Sequence, residues 1–126
     1  VVLGAPSLQL ASKMQSRAAK VGFDWPDVNG PLAKISEEAG EVRQALTTGD
    51  PDATMAEVGD LLFAVVNVAR HLDIDPESAL RIAVNKFRSR VESVEKLASE
   101  QGHVMKDMTL EQLDELWEVV KAYPTH

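Results

Sequence analysis

The chain contains no cysteine. Disulfides, thiolate metal sites and cysteine nucleophiles are therefore excluded, and the composition is compatible with a cytoplasmic protein. Aromatic residues make up only 5% of the chain. Its interior must then rely on Leu, Val, Ile and Ala, which favours helices packed on helices. No apolar run approaches the ~18 residues that would cross a bilayer, so no membrane partner is expected. The opening VVLGAPSLQLA lacks a basic segment and is too short for a signal peptide. It begins with Val rather than Met, as expected of a processed product or a piece of a longer protein. Basic residues are the scarcer charge, 13 against 20, for a net charge of −7. Such a chain repels a nucleic-acid backbone, and no nucleic-acid partner is expected. A small phosphorylated ligand remains compatible if metal ions bridge it to carboxylates.

The 126 residues suit a single domain, 1–126, with one core. Punctuation marks helices along it. Ser7 is placed to cap a helix reaching about Lys20, with Gly22 as its stop. Pro31 suits the first turn of a second helix ending at Gly49. Asp50–Pro51 opens a third helix to about His71, and Asp75–Pro76 a fourth to about Ser99. Thr109 with Gln112 has the capping-box spacing for a fifth, to about Ala122. No strand, repeat or linker is evident, so the expected fold is all-α, a helical bundle of about five helices.

Helix two contains SEEAGEV, and helix three contains EVGD. Advancing by roughly 100° per residue, Leu32, Ile35, Ala39, Val42 and Leu46 form a core stripe. Lys34, Glu38, Glu41 and Ala45 run beside it, while Glu37 points further toward solvent. Helix three, with LLFAVVNVA, is apolar around most of its circumference and is expected to be largely buried. Even so, Glu57, Asp60, Asn67 and His71 line up with Ala64 along one side. Polar groups on a buried helix are costly unless paired or bound to something. On helix four, Ile82 or Val84 with Phe87, Val91 and Val94 form the expected core face. Lys86 and Arg90 lie beside it, with Asn85 nearby.

If these helices pack together, four carboxylates and two cations border one cavity. Carboxylates in that number suit hard cations, above all Mg²⁺, with Mn²⁺ as the alternative. Such ions bridge carboxylates to phosphates, and Lys86 and Arg90 would neutralise phosphate charge. No GxxxxGK loop is present to hold phosphate in the P-loop manner.

Plainer readings compete. Acidic pairs at this spacing are often solvated surface, and Lys86 with Arg90 would make an ordinary surface pair. His71 suits a helix C-terminus as a cap. Asn67 suits a hydrogen bond within the bundle, and Trp25 and Trp117 suit core or interface. His103 and His126, in a loop and a tail, are assigned no role. A di-iron bundle would need Glu-x-x-His pairs, which do not occur. A non-catalytic helical interaction module leaves the acidic stripe on helix three unexplained. Two acidic clusters on successive helices, followed by cations, favour a site.

These segments resemble a known family. SEEAGEV, EVGDLLFAVVNVARHL and NKFRSRV, with GFDWP before them, look like the MazG-type nucleoside triphosphate pyrophosphohydrolases. Their EExxE…ExxD signature is matched by Glu37, Glu38, Glu41, Glu57 and Asp60. The likeness runs from about RAAKVGFDWP to LWEVVKAY. It implies an all-α homodimer that uses Mg²⁺ to hydrolyse a nucleoside triphosphate to the monophosphate and pyrophosphate. It implies Glu38, Glu41, Glu57 and Asp60 as metal ligands and catalytic residues, and Lys86 and Arg90 as the phosphate-binding pair. Trp117 and Lys121 are similar to C-terminal residues linked to nucleotide binding, and Lys34 is similarly placed. Ala53 departs from relatives that carry lysine there. The chain looks like the catalytically competent C-terminal domain of longer members. A narrower dUTP- or phosphoribosyl-ATP-type activity, or a regulatory module with a degenerate site, stands as the alternative.

Overall fold

The computed structural model describes residues 6–123; His126 lies outside them. Five α-helices follow one another: α1 (Ser7–Lys20), α2 (Asn29–Thr48), α3 (Pro51–His71), α4 (Pro76–Glu100) and α5 (Leu110–Ala122). A single 3-10 turn, Met105–Asp107, sits between the last two, and the described residues contain no strand. The all-α expectation is borne out.

Local chemistry explains the boundaries. Gly49 ends α2 in the left-handed region at φ 69°, a conformation that costs glycine little. Asp50 then caps α3, accepting from the Asp52 N–H at 3.0 Å, with Pro51 in the first turn. Asp75 accepts from the Glu77 N–H at 3.2 Å in the same way. The capping box at α5 is complete, since Thr109 and Gln112 each accept from the other's backbone N–H. At α1 the structure departs from expectation. Pro6 occupies the cap, and Ser7 is the first helical residue.

The chain forms two compact units, one running to Ala79 and the other beginning at Leu80. In the first, α2 and α1 both pack on α3. The expected core stripe of α2 is corrected here: Leu32 is 48% and Leu46 64% exposed. The buried line is instead Pro31, Glu38 and Ala45. That row, seven residues apart at each step, lies on one face of the helix, so the face turned inward is not the one with the bulkiest apolar side chains. Nor is α3 largely buried. Ala64 and Val66 are, but Leu62, Phe63 and Val65 are about half exposed. Two neighbouring helices cannot cover its whole circumference.

In the second unit, Val94 and Ala98 of α4 cluster with Leu116 and Val120 of α5, backed by Leu97, Met105 and Met108. The expected α4 core face is buried only toward its C-terminal end. Val94 is covered, but Ile82, Val84 and Phe87 are exposed.

Candidate functional site

The site grows from the close packing of α2 on α3. Glu38 stands on the buried line of α2, and Glu57 and Asp60 stand one helical turn apart on α3. One carboxylate oxygen from each of Glu38, Glu57 and Asp60 lies within 4.8 Å of the others. Glu38 is buried. Lys34, one turn earlier on α2, reaches its Oε1 at 3.3 Å and Glu37 at 3.1 Å. Its ammonium pKa is raised, first by the hydrogen bond to Glu37 and then by that to Glu38. The other Glu38 oxygen, Oε2, is buried and has no hydrogen-bond partner. An orphaned carboxylate oxygen inside a protein is costly.

Electrostatics agree with the geometry. The Glu57 pKa is raised, first by partial burial, then by the adjoining Glu38 carboxyl and by the charges of Asp60, Glu38 and Glu41. Like charges and desolvation both oppose ionisation. A hard cation would relieve both and would satisfy the orphaned oxygen, so the donor set fits a divalent ion such as Mg²⁺. Glu41 is exposed and outside the tight cluster, yet near enough to act on Glu57.

A cleft of about 670 Å³ adjoins this cluster, and Glu38, Asp60 and Lys34 line it together with Gln15, Trp25 and Asn67. Trp25 is 45% exposed, and its indole lies over Gly30, where a Cβ would collide with the ring. The loop carrying it is tied down by Asp24, which accepts from Arg70 of α3 and from its own neighbour, the Trp25 N–H, at 2.8 Å. Asp24 is also 3.0 Å from His71 Nε2. His71 therefore meets a side chain across the fold, where the sequence led us to expect a helix cap. Asn67 bonds within its own helix, its Oδ1 accepting from Arg70 Nε and Nη2 at 3.0 and 2.7 Å.

The remaining sequence-predicted residues, Asn85, Lys86, Arg90, Trp117 and Lys121, lie in the second unit. There the Arg90 guanidinium sits 5.8 Å from the Trp117 ring centroid, and Phe87 packs against the same ring at 5.7 Å. Lys121 pairs with Glu118 at 3.5 Å.

Gln15, Asp24 and Arg70 were not singled out from the sequence. Gln15 did carry a signal. It interrupts the line Leu8, Ala11, Ala18 at helical spacing, a polar residue where α1 turns inward.

An acidic cluster on two adjacent helices beside a cleft can be compared with known proteins. The model of the MazG nucleotide pyrophosphohydrolase domain matches residues 29–95. That span holds all four candidate carboxylates. The chain is 45% identical over 117 residues to the nucleoside triphosphate pyrophosphohydrolase/pyrophosphatase MazG of Thermotoga maritima, covering 93% of this chain and 45% of that protein. It is 42% identical over 120 residues to the nucleoside triphosphate pyrophosphohydrolase of Escherichia coli K12, covering 92% and 45%. The chain spans about half the length of the curated relatives it matches. Fold, acidic cluster and sequence likeness coincide over the same helices, and the chain belongs to the MazG nucleotide pyrophosphohydrolase family.

Proposed function

We propose that the chain is a Mg²⁺-dependent nucleoside triphosphate pyrophosphohydrolase that removes surplus or non-standard nucleotides in the cytoplasm. The observation carrying this reading is the convergence of Glu38, Glu57 and Asp60 oxygens within 4.8 Å of one another beside an open cleft. In the overall reaction, water adds its oxygen to phosphorus at the α–β anhydride, the bridging P–O bond breaks, and a monophosphate and pyrophosphate leave.

Glu38, Glu57, Asp60 and Glu41 would hold the cation, with Mn²⁺ as a substitute. When bound, it supplies charge neutralisation for the triphosphate and acidifies water. Lys34 orients Glu38 by occupying its Oε1, which leaves Oε2 as the free donor. Lys86 and Arg90 would offset phosphate charge, with Arg90 held by Trp117. Asn85 and Lys121 are further contacts to the nucleotide. We assign the acting form to a homodimer. In support, Leu46 of α2 and Met55 and Leu62 of α3 are more than half exposed in the single chain, a large apolar surface for one protomer to leave in water.

The test is product analysis with a panel of nucleoside triphosphates, with Mg²⁺ and with excess chelator. Monophosphate and pyrophosphate should appear only with the metal. Release of orthophosphate, or no metal-dependent turnover, would overturn the reading.

A further inference from the structure

Resting on that reading, we infer that Gln15 reads the nucleobase: its Oε1 accepts a hydrogen bond from an N–H on the base edge. Gln15 is 6% exposed and lines the cleft that Glu38 and Asp60 also line. Its amide orientation is fixed by chemistry. Nε2 donates to the Phe63 carbonyl at 2.9 Å, and flipping the amide would set oxygen against oxygen. Oε1 is therefore the atom left over, and it is buried with no partner. A buried acceptor without a donor is costly, and glutamine is a poor choice for that turn of an otherwise apolar line unless something supplies the donor.

The surroundings identify the donor's class. Trp25 offers an indole face to a flat apolar ring, held in place by Gly30 and by the Asp24 loop. Asn67 also lines the cleft, and Arg70 occupies its oxygen twice, so its amide nitrogen is the group left to donate. The cleft thus combines an aromatic platform, one fixed acceptor and one donor. A nucleobase edge carrying an N–H beside a ring nitrogen or carbonyl answers all three. Purines and pyrimidines both have such an edge, so the site reads the presence of the proton rather than the identity of the base. Bases alkylated at that nitrogen are the class it rejects.

The experiment compares kcat/KM for ATP with N6,N6-dimethyl-ATP, CTP with N4,N4-dimethyl-CTP, and UTP with 3-methyl-UTP. It uses the wild-type chain and Gln15→Met, which keeps the length of the side chain without its amide. Each pair whose unmodified member is turned over should show discrimination of about tenfold or more in the wild type, from the acceptor left unpaired. In Gln15→Met that ratio should collapse toward one, mainly through loss on the unmodified nucleotide. Equal ratios in both proteins mean steric exclusion and overturn the inference, as does no discrimination by the wild type, where water satisfies Oε1. The wild-type arm needs no variant to fold. If no triphosphate is turned over, the proposed function fails instead, and calorimetric titration with the same nucleotide pairs tests Gln15 by binding under the same criteria.

Discussion

Asp24 and Arg70 stand 46 residues apart in sequence and are joined by two charge-assisted hydrogen bonds, Nη1 to Oδ2 at 3.2 Å and Nη2 to Oδ1 at 2.5 Å. This bidentate clamp fixes the loop before α2 to the end of α3 and so fixes Trp25 over the cleft. Arg70 bonding holds the Asp24 carboxyl down from the usual 3.8 to about 2. A depressed carboxylate contributes stability that is present above its unfolded pKa and lost as pH falls through the folded one. Thermal denaturation of wild type and Asp24→Asn should therefore differ by a constant amount from pH 7 to about 5. The gap should narrow from just above pH 3.8 down toward 2. A gap that persisted unchanged to pH 2 would contradict the clamp.

Gly30 has no room for a side chain, because a Cβ there would overlap the Trp25 indole. Gly30→Ala should displace that ring at a cost of about 1–3 kcal/mol, the usual range for overpacking. Urea denaturation gives the cost, and the change in tryptophan fluorescence shows that the ring has moved. Unchanged emission would mean that the loop accommodates the methyl.

Neutralising one member of the acidic cluster should act in opposite directions with and without metal. Glu57→Gln relieves the repulsion from Glu38 and Asp60, so in chelator it should melt higher than wild type. Added Mg²⁺ at a hundredfold excess over its Kd should stabilise the wild type by about 2.7 kcal/mol, and the variant much less. A variant that melts lower in chelator yet responds fully to Mg²⁺ would place the cation elsewhere.

Arg90 lies against the Trp117 ring. Replacing it with lysine keeps the charge but loses the planar group that stacks and donates in a fork. Arg90→Lys should cost no more than about 1 kcal/mol in stability. It should still lower pyrophosphate release, as Arg90→Ala should. Full activity in the lysine variant would reduce the role of Arg90 to bulk charge.

Much of this was legible in the sequence where the signal is local. The Gly49–Asp50–Pro51 and Thr109–Gln112 devices give the helix boundaries, because caps act within one turn. Helical angle alone selects Glu38, Glu41, Glu57 and Asp60; the fold brings Glu38, Glu57 and Asp60 into one cluster and leaves Glu41 exposed beside it. The angle does not reveal which row of α2 turns inward. Periodicity finds an apolar face but not the neighbour that covers it, and the row covered here is Pro31, Glu38 and Ala45. The Asp24–Arg70 clamp was hidden because nothing local marks a pair so far apart. Gln15 was passed over because one amide in an apolar line is a weak signal until the Phe63 carbonyl fixes its orientation.

Only Gly49 and Asp50 separate α2 from α3. So short a connection works as a phase lock between the helices that carry the two acidic motifs. One residue inserted there would change how the chain enters α3, and with it the angle at which Glu57 and Asp60 face Glu38. Point substitutions in this turn alter its stability, but a change in its length alters the angular register of the whole site. A change of length here is therefore expected to disperse the acidic cluster even where both helices still form.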